Sequence, residues 1–76
     1  MDTLMKTQQG RTYIVARFLD IAPRREKILR DMGLYEGGII KIAFVSDSAV
    51  VFDKEGVELP LSKEEAEQIL VEDYQL

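Results

Sequence analysis

Seventy-six residues form one domain with a small core, and 46% hydrophobic and 32% charged residues with a net charge of -4 describe an ordinary globular protein rather than a disordered or fibrous one. The chain has neither cysteine nor histidine, which excludes disulfides, thiolate and imidazole metal sites, and every Cys-His or Ser-His-Asp arrangement. No apolar run is long enough for a membrane-spanning helix or a signal-peptide core, so no membrane insertion and a cytoplasmic location are expected.

Charge is uneven along the chain. Residues 1–52 carry eight basic and six acidic groups, whereas residues 53–76 carry two basic and eight acidic ones. An acidic second part argues against nucleic acid as a partner, because phosphate contacts supply most of that affinity.

Residues 1–9 read as an N-terminal arm, polar apart from Leu4 and Met5, which frays unless those two side chains dock on the body. Gly10 then opens Arg11 to Phe18, a β-branched and aromatic run that predicts a strand with Ile14, Ala16 and Phe18 on one face. Asp20 to Met32 reads as a helix, with Pro23 in its first turn and Ile28, Leu29 and Met32 on the apolar side. Arg25 falls near the middle of that stripe, where its stem can snorkel over the core or its head can reach a partner.

Gly33 stands where a helix wants a left-handed residue after its last turn, so that Leu34 covers Leu29 in a Schellman arrangement. Tyr35-Glu36-Gly37-Gly38 reads as a second turn, which gives Gly33, Gly37 and Gly38 structural roles. Ile39 to Val45 alternates as a strand, with Ile40, Ile42 and Phe44 facing inward. Asp47-Ser48 reverses the chain into the strand Ala49 to Asp53, and Asp53-Lys54-Glu55-Gly56 has the form of a type I turn closed by a left-handed glycine.

Val57, Leu59 and Leu61 follow at period two, and Pro60, which cannot donate to a ladder, puts this strand at a sheet edge or turns its nitrogen outward. Ser62 and Glu65 form a capping box for a short helix reaching about Gln68. Ile69-Leu70-Val71 returns as a closing strand, and the chain ends in a tail. Five short strands with Gly-rich turns predict a mainly β fold with short helices: a small, partly open barrel, one helix inserted after the first strand and another before the last.

Met32-Gly33-Leu34-Tyr35-Glu36-Gly37-Gly38-Ile39-Ile40 resembles the LGL-x-PG-x-x-I pattern of the FeoA family, ferrous iron transport protein A. Glu36 stands where the family usually has proline. Gly10 to Phe18 is similar to the family's opening strand, and Leu61 to Glu72 to its closing L-x-x-x-EA-x-x-I-x-V segment. The resemblance implies an SH3-like barrel over residues 10–72, followed by a tail at 73–76. It also implies a protein partner, the membrane GTPase and ferrous iron permease FeoB, met on its cytoplasmic face. A second implication is kinship with the C-terminal domain of metal-dependent transcriptional repressors.

Arg24, Arg25, Lys27 and Arg30 form the only basic cluster, and Tyr35 and Glu36 lie in a turn where an aromatic has little local reason to be. These six are the candidate partner-binding residues. Glu64, Glu65, Glu67, Glu72 and Asp73 match no cation-loop spacing and read as an acidic surface. Metal binding is a family-level association, but ferrous iron usually needs imidazole or thiolate, so no metal site, no catalytic residue and no cofactor are expected.

Overall fold

A computed structural model describes residues 1–75; Leu76, the end of the expected tail, lies outside the described residues. Six strands form one antiparallel sheet: β1 (Asp2–Thr3), β2 (Thr12–Phe18), β3 (Ile39–Val45), β4 (Ala49–Lys54), β5 (Val57–Ser62) and β6 (Ile69–Asp73). Their spatial order is β1-β6-β2-β3-β4-β5, so the short first strand and the Pro60 strand are the two edges. Helix α1 (Pro23–Asp31) is inserted after β2, and the single-turn helix α2 (Lys63–Ala66) precedes β6. The fold is SH3-like and measures 30 × 25 × 24 Å. Among the described residues no helix is long and apolar enough to cross a membrane.

The sixth strand is the one the sequence did not announce. Asp2 and Thr3 pair with Val71 and Leu70, and a 3₁₀ turn at Leu4–Lys6 drives Leu4 into the core with no surface left exposed. Thr7 closes that turn by donating its hydroxyl to the Leu4 carbonyl at 2.6 Å. Two apolar residues in a polar stretch are enough to dock it, because complete burial of one leucine offsets about 1.5–3 kcal/mol of ordering.

Two bulges correct the expected inward faces. In β2 the buried residues are Tyr13, Val15 and Phe18, not Ile14 and Ala16, and the ladder with β6 slips by one residue between Val15 and Arg17. In β3 the ladder slips between Ile42 and Phe44, which turns Phe44 outward at 50% exposure while Val45 packs on the core. An extra residue on one strand reverses the facing of the side chains across it, so strict period-two reading fails on the Ile14 side of the bulge at Ala16 and on the Phe44 side of the one at Ala43.

The helix is more peripheral than its apolar stripe predicts. Only Leu29 of α1 is buried; Ile28 and Met32 are exposed. Its C-terminus is the expected Schellman motif: Gly33 has φ +97°, its N–H donates to Arg30 O at 3.0 Å, and Leu34 N–H donates to Leu29 O at 2.9 Å. Leu34 and Leu29 are both fully buried, so the cap and its apolar contact together clamp this end of α1.

At the other end of the chain Glu65 N–H donates to Ser62 Oγ at 3.2 Å, as the capping box requires. Helix α2 ends at Ala66 rather than Gln68, and β6 continues to Asp73, one residue into the segment read as tail. The β4–β5 turn is also a correction: Glu55 and Gly56 are both left-handed, at φ +54° and +88°, between the paired residues Lys54 and Val57. That is a two-residue type I′ hairpin, whose twist matches the flanking strands where a type I turn would splay them.

Candidate functional site

The basic cluster divides. Arg24, Lys27 and Arg30 stand exposed on the outer side of α1, spaced three residues apart and therefore on one face. Arg30 makes an exposed contact with Glu26 at 3.4 Å, worth little in solvent. Arg25 is different: its Nε and Nη2 donate to Glu65 Oε2 and Oε1 at 2.7 and 2.8 Å. Hydrogen bonding to the Glu65 carboxylate raises the Arg25 pKa further above its ordinary value, so the guanidinium stays charged at any working pH. The residue in the middle of the apolar stripe thus joins α1 to α2.

Tyr35 and Glu36 belong to a tight turn. Gly37 has φ +87° and Gly38 N–H donates to Tyr35 O at 2.9 Å, the pattern of a type II turn with Glu36 at its first central position. The turn is sewn to β2 by two backbone bonds, Gly37 N–H to Val15 O at 2.7 Å and Val15 N–H to Gly38 O at 2.9 Å. Glu36 adds a third link, because its Oε2 accepts from the Phe18 amide at 3.2 Å. Where the family pattern has proline, this chain ties the turn with a side chain instead.

The Tyr35 ring, 38% exposed, lies against Gly38, where an added Cβ would sit 2.9 Å from the ring's Cε1. Lys54 Nζ stands 5.3 Å from the ring centroid and donates to Ile39 O at 2.9 Å. A groove of about 570 Å³ runs between the end of α1 and the β4–β5 hairpin, lined by Arg30, Met32, Tyr35, Lys54, Val57 and Leu59 among others. A smaller hollow beside it is lined by Arg30, Tyr35 and Glu36.

The structure therefore brings together three of the six candidate contact residues, Arg30, Tyr35 and Glu36. It leaves Arg24 and Lys27 further along the helix and turns Arg25 toward Glu65. Sequence reasoning missed Lys54, Met32, Val57 and Leu59. The sequence pattern puts Met32 on the apolar side of the helix and Val57 and Leu59 in a period-two strand, and nothing local marks Lys54, which reaches the turn only because β4 pairs with β3.

Among the described residues no three Asp or Glu side chains are grouped to hold a metal. With imidazole and thiolate also missing from the chain, the donors present do not fit a resident iron ion.

A sequence model of the FeoA domain matches residues 3–73. Among solved structures, an iron uptake regulatory protein (FeoA) is 22% identical and superposes with a TM-score of 0.82 over 95% of this chain and 96% of its own. The FeoA protein from Chlorobium tepidum gives 23% identity and a TM-score of 0.83 over 96% of this chain and 70% of the other. ScaR, solved with bound Zn2+, gives 28% identity and a TM-score of 0.81, with 97% of this chain covering only 37% of the longer one. A comparison with curated protein sequences found no match. A family match that takes in both edges of the sheet, α1 and the Tyr35–Gly38 turn leaves one conclusion: the chain belongs to the FeoA domain family.

Proposed function

We propose that the protein is a non-enzymatic, cytoplasmic accessory of ferrous iron uptake, which binds a FeoB-type membrane GTPase and permease and modulates its activity. The observation that carries this reading is the extent of the FeoA match, residues 3–73, which is nearly the whole chain. The absence of histidine and cysteine supports it, since the chain offers no obvious group for its own chemistry and its role is then to bind.

The contact surface on this reading is the end of α1 with the following turn. Arg30, Tyr35 and Glu36 form its centre, and Arg24 and Lys27 extend it along the helix. Arg25 contributes by fixing the helix to Glu65. Binding of the purified protein to a FeoB-type transporter in nanodiscs, followed with GTP hydrolysis, tests this. Saturable binding that weakens for Tyr35→Ala and for paired Arg24→Glu and Lys27→Glu is expected; no binding and no change in hydrolysis would overturn it.

A second reading is supported by the likeness to ScaR, of which this chain spans 37%. On it the protein is an SH3-like regulatory module, related to the C-terminal domain of metal-dependent repressors, that contacts another protein. Recovery of a metal-dependent transcription factor from lysate, and never the permease, is the outcome that favours it.

A further inference from the structure

Three points on one short stretch, at Gly33, Tyr35 and Ile39, converge on Lys54, which lies fifteen residues beyond Ile39 on another strand. Its stem crosses the end of α1 so closely that a Cβ added at Gly33 would lie 2.6 Å from Lys54 Cγ and 3.3 Å from its Cβ. Its ammonium reaches the first residue of β3, donating to Ile39 O at 2.9 Å. On the way it stands over Tyr35, 5.3 Å from the ring centroid. The ring in turn fills the space that a side chain at residue 38 would take, since a Cβ there would meet Tyr35 Cε1, O and Cζ at 2.9, 3.0 and 3.1 Å. Two glycines thus leave room for two side chains, and the ammonium of one stands over the ring of the other.

We propose that Lys54 is the positioning residue of Tyr35: stem on Gly33 and ammonium on Ile39 O, it holds the phenol ring between itself and Gly38 and so sets how the ring faces the groove. The tyrosine has no covalent or turn-imposed reason to keep this direction, because a partly exposed ring at the start of a turn has other rotamers open to it. An ammonium over its face, itself held by its hydrogen bond to Ile39 O, removes that freedom at a site open to solvent. The hairpin that carries Lys54 is a separate element from the turn it organises, so the orientation of Tyr35 depends on β4 holding its register. This deepens the proposed function and rests on it only where Tyr35 is a contact residue.

Nuclear Overhauser effects between the Tyr35 ring and the Gly38 α protons read the ring's position without any partner. Lys54→Met keeps the length of the stem and removes the charge; Lys54→Arg keeps a cation. The expected result is loss of the Tyr35–Gly38 effects in Lys54→Met and their retention in Lys54→Arg, with the amide pattern of β2, β3 and β6 unchanged in both. Gly38→Ala displaces the ring from its other side and is expected to give the same loss. Unchanged Tyr35–Gly38 effects in Lys54→Met would overturn the proposal. With a FeoB-type transporter in nanodiscs, Lys54→Met is expected to weaken binding about two- to fivefold, the equivalent of one cation over an exposed ring. Ring effects lost but binding unaltered would leave Lys54 as the residue that positions Tyr35 and sink Tyr35 as a contact.

Discussion

Arg25 and Glu65, forty residues apart, form a two-bond fork at 2.7 and 2.8 Å that joins α1 to α2. The fork matters because α1 otherwise buries only Leu29. A planar guanidinium against a carboxylate fixes distance and direction together, which a lysine at the same place would not.

Breaking this fork is expected to loosen α1 more than it lowers global stability. Arg25 is 40% exposed at its side chain and Glu65 18%, so solvent screening limits the loss on Glu65→Gln to about 0.5–1 kcal/mol. For a domain of this size that is a fall in melting temperature of roughly 2–8 °C. Hydrogen exchange should accelerate in α1 and leave the β2–β3 ladder unaffected. The Arg25 pKa is raised, so its contribution is complete below the unfolded-state value and is lost only as pH rises through the still higher folded value. Denaturation between pH 5 and pH 9 should therefore carry no step from Arg25.

Gly33→Ala addresses the helix cap. The backbone there has φ +97°, and the new Cβ would collide with the Lys54 stem, which is anchored at both ends. A left-handed conformation costs a non-glycine residue about 1–2 kcal/mol, and displacement of Lys54 adds to it. Chemical denaturation should give a loss at or above that range, larger than for Gly56→Ala. Gly56 is also left-handed, but nothing lies within 4 Å of its missing Cβ.

Local chemistry was legible where it acts within a few residues. Gly33 capping α1, Ser62 capping α2, Pro60 marking an edge and Ile69–Val71 closing the sheet all follow from side-chain type and spacing, and each is where that chemistry puts it. What failed depends on partners distant in the chain. The bulges at Ala16 and Ala43 are set by the neighbouring strands, and they decide which of Val15, Phe18 and Phe44 point inward. The first strand forms only because β6 offers it an edge, and Lys54 meets Tyr35 only through the β3–β4 ladder. The MGL-x-x-G run located the candidate site; the groove beside it needed the hairpin.

The bulge at Ala43 makes two phenylalanines separable by experiment. Phe52 is fully buried and Phe44 half exposed, although the same alternating pattern would place both inside. Phe52→Ala should cost about 3–5 kcal/mol, enough to unfold much of a small domain. Phe44→Ser should stay within about 0.5 kcal/mol of the parent, as surface changes usually do. Similar losses for the two in urea titrations would mean that β3 has no bulge.

The β4–β5 hairpin carries a strain that can be removed. Glu55 is the one non-glycine residue with positive φ among the described residues, at +54°, in a turn that favours Asn-Gly. Glu55→Asn should stabilise the protein by roughly 0.5–1 kcal/mol, because asparagine tolerates the left-handed region better than glutamate. Gly56 N–H still donates to Asp53 Oδ1 at 2.8 Å, so the turn keeps its own hydrogen bond. A higher urea midpoint with unchanged slope is the expected reading.

Glu36 poses the closest balance. At the first central position of a type II turn a proline presets φ and removes unfolded-state freedom, a gain of about 0.4–1 kcal/mol. Glu36 N–H makes no hydrogen bond among the described residues, so proline would forfeit none there. It would forfeit the carboxylate that accepts from Phe18 N–H at 3.2 Å, a bond worth about 0.5–1.5 kcal/mol. Glu36→Pro should therefore leave stability within about 0.5 kcal/mol of the parent, while Glu36→Ala, which loses the bond and gains nothing, falls by roughly 1 kcal/mol. The two substitutions remove the same side chain from the groove, so equal losses would mean that turn rigidity contributes nothing here. Near-neutral proline beside a destabilising alanine would mean that this chain has exchanged a rigid turn for a tied one.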